Sequence, residues 1–190
     1  MTLLIIGIVV FFAFHLVPTV KGLRERLIGR FGENGYKILF SLFSLASLAL
    51  LIYGFAKAPL VQVWSPPGWT RWVAIVLMLP AFVFLVVAYL PGRIKTRLKH
   101  PFLVAIKTWA FAHLIANGGL ASILLFASFL AYAVYDRIAL KSRQPTGLVE
   151  IRGPAKPQND IIALVLGAAL YAVFLVWLHP LLIGTAPLSR

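Results

Sequence analysis

HPFLVAIKTWAFAH, residues 100–113, decides how the rest of the chain is read. It has the apolarity of a helix meant for hydrocarbon, yet it begins and ends on imidazole and holds an ammonium, Lys107, between them. Titratable groups in a bilayer are costly, so each calls for a named partner. Whether these rings sit in lipid or in an ordinary core depends on what surrounds the stretch.

The surroundings answer for lipid. Of 190 residues 61% are hydrophobic and the mean hydropathy is +0.93. Apolar runs recur at about the 20-residue length that crosses a bilayer as a helix. Strand-like alternation is absent, and a helix satisfies its backbone groups within the segment, so the expected fold is all-α, a polytopic membrane bundle. Six transmembrane helices are expected, over about 2–18, 35–56, 71–90, 101–117, 119–136 and 160–182. The whole of 1–190 reads as a single transmembrane domain, with a soluble linker at about 141–159 broken by Pro and Gly. The first apolar run lacks the basic n-region and small-residue cleavage site of a signal peptide, so it is expected to be a retained helix.

The formal charge of +13 does not point to nucleic acid, because the cations fall in short loops between apolar runs. Lys21, Arg24, Arg26 and Arg30 occupy the first loop; Arg93, Lys95, Arg97 and Lys99 the third; Arg137, Lys141, Arg143, Arg152 and Lys156 the fifth. Alternate loops rich in Lys and Arg face the cytoplasm, which puts both termini on the other, non-cytoplasmic side. Leu23, Leu27 and Phe31 recur at four-residue spacing among the arginines of the first loop, the pattern of a short interfacial helix or of a solvated extension of the first span. Trp64, Trp69 and Trp72 cluster around SPPGWT at the headgroup level of the outer face. Small residues that let helices approach in lipid are expected at Ser41, Ser44 and Ser47, at Ala121, Ser128 and Ala131, and at Ala163 and Gly167.

Cysteine is absent, which excludes disulfides, thiolate metal sites and a thiol nucleophile and leaves any metal to histidine. The five carboxylates, Glu25, Glu33, Asp136, Glu150 and Asp160, all lie in or beside loops, so hydrolytic acid–base chemistry in the core is not expected. His100 precedes Pro101 and His179 precedes Pro180, positions suited to an interfacial ring bonded to a carbonyl. Lys107 can extend its stem toward the headgroups. His113 lies about 18 Å along its helix from Pro101, with Trp109 one turn earlier on the same face. His15 repeats the arrangement with Phe11. Two imidazoles beside aromatic walls suit a flat apolar macrocycle ligated by histidine from two helices, with Arg93, Lys95 and Arg97 available to its propionates; hydrogen-bonded structural histidines are the competing reading.

FFAFHLVPTVKGLRERLIGRFGENGYKILFSLFSL (residues 11–45), SPPGW (65–69), the run from Tyr89 through HPFLVAIKTWAFAH to Asp136 and Arg137, and WLHPLLIG (177–184) together resemble the NnrU family of bacterial membrane proteins. That resemblance covers nearly the whole chain. It implies a multi-pass protein of the bacterial inner membrane supporting nitrite and nitric oxide respiration, alongside the reductases of denitrification, in a redox, haem-handling or maturation role. The family is similar to 15-cis-ζ-carotene isomerase, which uses haem b; the similarity implies haem b here, ligated by His15 and His113, beside Phe11 and Trp109. His100 and His179 are substitutes, because helix rise alone sets His15 and His113 on the order of 13 Å apart in depth. Where the isomerase carries a cysteine this chain has Ala110. A lipid-soluble polyene substrate is the corresponding enzyme alternative. The KHP at 99–101 and Asn117 also resemble S-adenosylmethionine-dependent membrane methyltransferases, although the acidic pair of those enzymes is reduced here to Asp136. A structural assembly factor is the non-enzymatic alternative.

Overall fold

The computed structural model describes residues 1–20, 22–142 and 154–189. Lys21, Arg143, Arg152 and most of the expected linker lie outside them. Eight α-helices are found among the described residues: α1 Thr2–Leu16, α2 Leu23–Ala56, α3 Gly68–Val87, α4 Arg93–Leu98, α5 Pro101–Ala116, α6 Leu120–Ser142, α7 Pro157–Val173 and α8 His179–Ile183. They contain no strand; a single bridge pairs Gln62 with Gly119. Five stretches are long and apolar enough to cross a membrane: Thr2–Thr19, Leu23–Ala56, Gly68–Val87, Leu120–Leu140 and Pro157–Ile183. The helix that holds the opening stretch, α5, is apolar but only 16 residues long. Its flanks explain the shortfall: Pro101 starts it and the Asn117–Gly118–Gly119 turn ends it. The outward side chains are apolar, among them Leu45, Val76, Val165 and Leu181 at 66, 69, 63 and 77% exposure, which is the surface lipid requires and water does not tolerate.

Residues Met1–Trp64 with Gly119–Ser128 form one compact unit, and Ser65–Gly118 with Phe129–Arg190 a second. In the first, α1 and α2 form an antiparallel pair. Leu4, Gly7 and Phe11 make the buried stripe of α1, and Ser47, Leu51 and Gly54 that of α2, each at the three- and four-residue steps of one helix face. Glycine lets the backbones touch. A Cβ on Gly7 would stand 2.7 Å from Leu51 Cα, and one on Gly54 2.7 Å from the carbonyl carbon of Leu3. Of the three serines expected to serve this purpose, Ser47 is buried, Ser44 is half-buried and Ser41 is exposed. Pro18 ends α1 in a 3-10 turn, Val17–Thr19, and the chain re-enters helix at Leu23, so the arginine-bearing segment is not an extension of the first span. Gly32, at φ 72 and ψ 166, breaks α2 and sets residues 23–31 apart as a short helix, a conformation an L side chain rarely adopts.

The second unit is built on α3, which packs against both α5 and α7. Val83, Val87 and Ala163 form its core with Val86, Leu90 and Ile94 around them. Gly167 and Ala163 are buried as expected, a Cβ on Gly167 meeting Val83 Cα at 2.6 Å. Pro80 inside α3 removes one backbone N–H and loosens the preceding turn. Tyr171 of α7 donates its hydroxyl to this turn of α3, at Ile75 O, 2.7 Å away. Tyr171→Phe should therefore cost about 0.5–1 kcal/mol in detergent unfolding with little change in helicity, the usual worth of an interhelical hydrogen bond in a membrane protein; an unchanged midpoint would show that water replaces the contact.

The loop Pro91–Gly92 is clamped by the start of α7. Asp160 accepts from the backbone N–H groups of Arg93 (3.0 Å) and Ile94 (3.1 Å), Asn159 Nδ2 donates to Pro91 O (2.8 Å), and so does the Lys156 N–H (3.0 Å). A carboxylate borrowed from 66 residues away thus supplies the N-terminal cap that α4 lacks in its own sequence. After α7 the chain widens into a π-helical turn, Phe174–Leu178, before Pro180.

Candidate functional site

His15 and His113 lie in different units and are built alike. In each, Nδ1 faces the backbone carbonyl one turn earlier: Phe11 O at 2.7 Å for His15, Trp109 O at 2.8 Å for His113. A carbonyl only accepts, so Nδ1 carries the proton and donates it, and the lone pair of the neutral ring falls on Nε2. In each the residue at i−4 is aromatic and lies against the imidazole. Phe11 stacks on His15 with centroids 4.0 Å apart and planes at 26°; Trp109 stands 5.4 Å from His113 at 51°. Phe11 itself is buried against α2.

Each ring has a second support. Phe40 of α2 meets His15 edge-on at 5.6 Å and 60°. Trp109 is held edge-on by Phe129 of α6 at 5.3 Å and 89°. Asn117 Nδ2 donates to His113 O at 2.8 Å, tying the last turn of α5. The aromatic at i−4 is visible in the sequence; Phe40 and Phe129 are not, because their approach depends on which faces of α2 and α6 turn inward.

His179 shares the tautomer. Its Nδ1–H donates to Thr185 O at 2.7 Å, across the left-handed turn at Gly184, and Phe174 stands edge-on at 5.9 Å. His179 also lies within electrostatic range of His113 in the same unit. His100 differs. It occupies the N-cap of α5, where the expected carbonyl bond is not found among the described residues. Burial is the main cause that lowers its pKa from the ordinary imidazole value; Arg137 and Lys99 add to this and Asp136 opposes it.

Arg93 and Arg97 are exposed on α4, beside the Pro101 end of α5 and so about 18 Å of helix from the level of His113. Lys95 between them is 6% exposed and donates Nζ–H to Ala88 O at 2.7 Å. Lys107 is half-buried, with no hydrogen bond or ion pair to a described residue. Ala110, one turn before His113, is fully buried and brings only a methyl group. Among the described residues no three of His, Asp and Glu gather as a metal-ion site.

A family model described as NnrU protein matches residues 3–187. No curated protein and no solved structure matches the chain.

Proposed function

The chain belongs to the NnrU family, and from that premise we propose an inner-membrane protein that holds haem b and supports nitrite and nitric oxide respiration through redox, haem-handling or maturation work. The observation behind the haem is the shared tautomer of His15 and His113. An Nδ1–H bond to a carbonyl orients the ring, raises its basicity and directs the Nε2 lone pair outward, which is how ligating histidines are prepared. The donor set fits: neutral imidazole suits iron, and each ring has aromatic neighbours of the kind that line a macrocycle, Phe11 and Phe40 at His15, Trp109 and Phe129 at His113. Bound haem would supply one-electron or gas-ligand chemistry. The protein's own part is to fix the two tautomers, keep water away with aromatic rings and leave no acid–base carboxylate beside them. Arg93 and Arg97 would meet propionates only if the macrocycle reached the α4 end of its unit.

In this reading α5 also crosses the membrane, as the fourth of six spans, both termini face away from the cytoplasm, and the cationic loops stay inside. A second ligand pair, His113 with His179, would take both imidazoles from one unit. An isomerase acting on a lipid-soluble polyene shares the haem but loses support at Ala110, where no thiol can exchange onto iron. A methyltransferase has less still, since Asp136 stands without an acidic neighbour. Protein purified in detergent from haem-supplemented cells should show a Soret band and, on reduction, split α and β bands. Protein that stays colourless after reconstitution with haem overturns the reading.

A further inference from the structure

On one side of the second unit an open groove of about 450 Å³ runs between α3 and α7. Its walls are Leu79, Val83 and Phe84 of α3 and Leu164 and Ala168 of α7, and Ile94 of α4 closes one end. The lining is apolar. Gly167 brings α7 onto Val83, and Ala168 beside it is too small to fill the space that opens where the helices part.

The closed end is where the charge lies. Ile94 is followed three residues on by Arg97, on the same helical face, and preceded by Arg93; both guanidinium groups are exposed and neither is paired with a carboxylate among the described residues. Lys95 is more than nine-tenths buried and has a single acceptor, Ala88 O, so its charge is uncompensated. The carboxylate at hand, Asp160, is already used by the backbone N–H groups of Arg93 and Ile94. That bond also removes the helix N-terminus as an anion site and leaves the side chains to hold any anion. An apolar slot that ends under two unpaired arginines and a buried ammonium matches a molecule with a hydrocarbon tail and an anionic head.

We propose that this groove is a binding site for an anionic phospholipid, with one acyl chain between α3 and α7 and its phosphate on Arg93 and Arg97. Guanidinium recognises phosphate by paired N–H···O bonds, and the slot fixes the depth at which the head lies. The site stands apart from the imidazoles and does not rest on haem.

Native mass spectrometry of the full chain in mild detergent, offered equal phosphatidylglycerol and phosphatidylcholine, tests it. The wild type should retain phosphatidylglycerol about 25-fold over phosphatidylcholine, two cations at about fivefold each. Each arginine exchanged should lower that preference about fivefold, the effect of one cation at an anionic membrane surface, so Arg93→Gln with Arg97→Gln should bring the two lipids near parity. Leu164→Trp should fill the slot and reduce retention of both lipids, while Arg26→Gln with Arg30→Gln, which removes equal charge from the first unit, should change nothing. Equal retention of both lipids by the wild type overturns the proposal, as does an equal effect of the Arg26 and Arg30 changes, which would mean that net charge alone attracts the lipid. The four arginines are exposed, so folding does not depend on them if Leu164→Trp proves unstable.

Discussion

His113→Ala should abolish the Soret absorbance expected of the purified protein, while Trp109→Phe should keep most of it. The contrast follows from where the supporting hydrogen bond ends. His113 donates Nδ1–H to the main-chain oxygen of residue 109, not to its indole, so a phenyl ring there preserves both the tautomer and an aromatic wall. Loss of a partner of that kind typically weakens a metal ligand 10–100-fold, and loss of the ligand itself costs more. Free imidazole added to His113→Ala should restore part of the band by occupying the space the ring leaves. The same experiment on the other histidines decides the pair. If His15→Ala shifts the spectrum and His179→Ala leaves it intact, iron is held between His15 and His113; the reverse selects His113 with His179. A full spectrum in all three single variants would mean that the rings only pack. Circular dichroism on each variant separates lost haem from lost fold.

Gly54→Val is expected to be the most destabilising single change in the first unit, while Gly29→Ala should stabilise it. Both glycines lie in α2, where helix propensity alone predicts a gain of about 0.5–1 kcal/mol on adding a side chain. At Gly29 nothing stands within 4 Å of the new Cβ, so the gain should appear. At Gly54 the Cβ would meet main-chain atoms of Leu3 and Leu4 at 2.7 Å, and backbone cannot swing aside as a long side chain would. The helices must separate along the stripe that buries Leu4 and Leu51, at a cost of about 3 kcal/mol or more. Denaturant titration in detergent gives both signs. A neutral Gly54→Val would mean that α1 does not lie this close to α2.

These two outcomes also mark what the sequence could and could not disclose. Five of the six expected spans were legible because hydrocarbon forces long apolar runs, whereas α5, at 16 residues, falls short of the length expected of a span. Gly167 and Ala163 could be read as contact residues. Gly7 and Gly54 could not, since they look like any glycine in an apolar run until the partner face is known. The tautomers of His15 and His113 were half visible: the aromatic at i−4 was in view, but the carbonyl bond is a matter of rotamer. The cap that Asp160 lends to α4 was hidden by the 66 residues between them, for local reading of a helix start looks only at its own flank. Gly32 was hidden too, because only its backbone angles show that the first nine residues of α2 turn away from the rest.

The π-helical turn at Phe174–Leu178 sets the direction in which His179 faces. Such a turn accommodates one residue beyond the ordinary helical count, and each residue of an α-helix advances about 100° around the axis. Everything after it is rotated by that step relative to α7. The azimuth of His179 is thus governed by a surplus codon: losing one would swing the imidazole to another side of the bundle without altering a single neighbour's identity, and evolution could re-aim this ring by indel where substitution has no purchase.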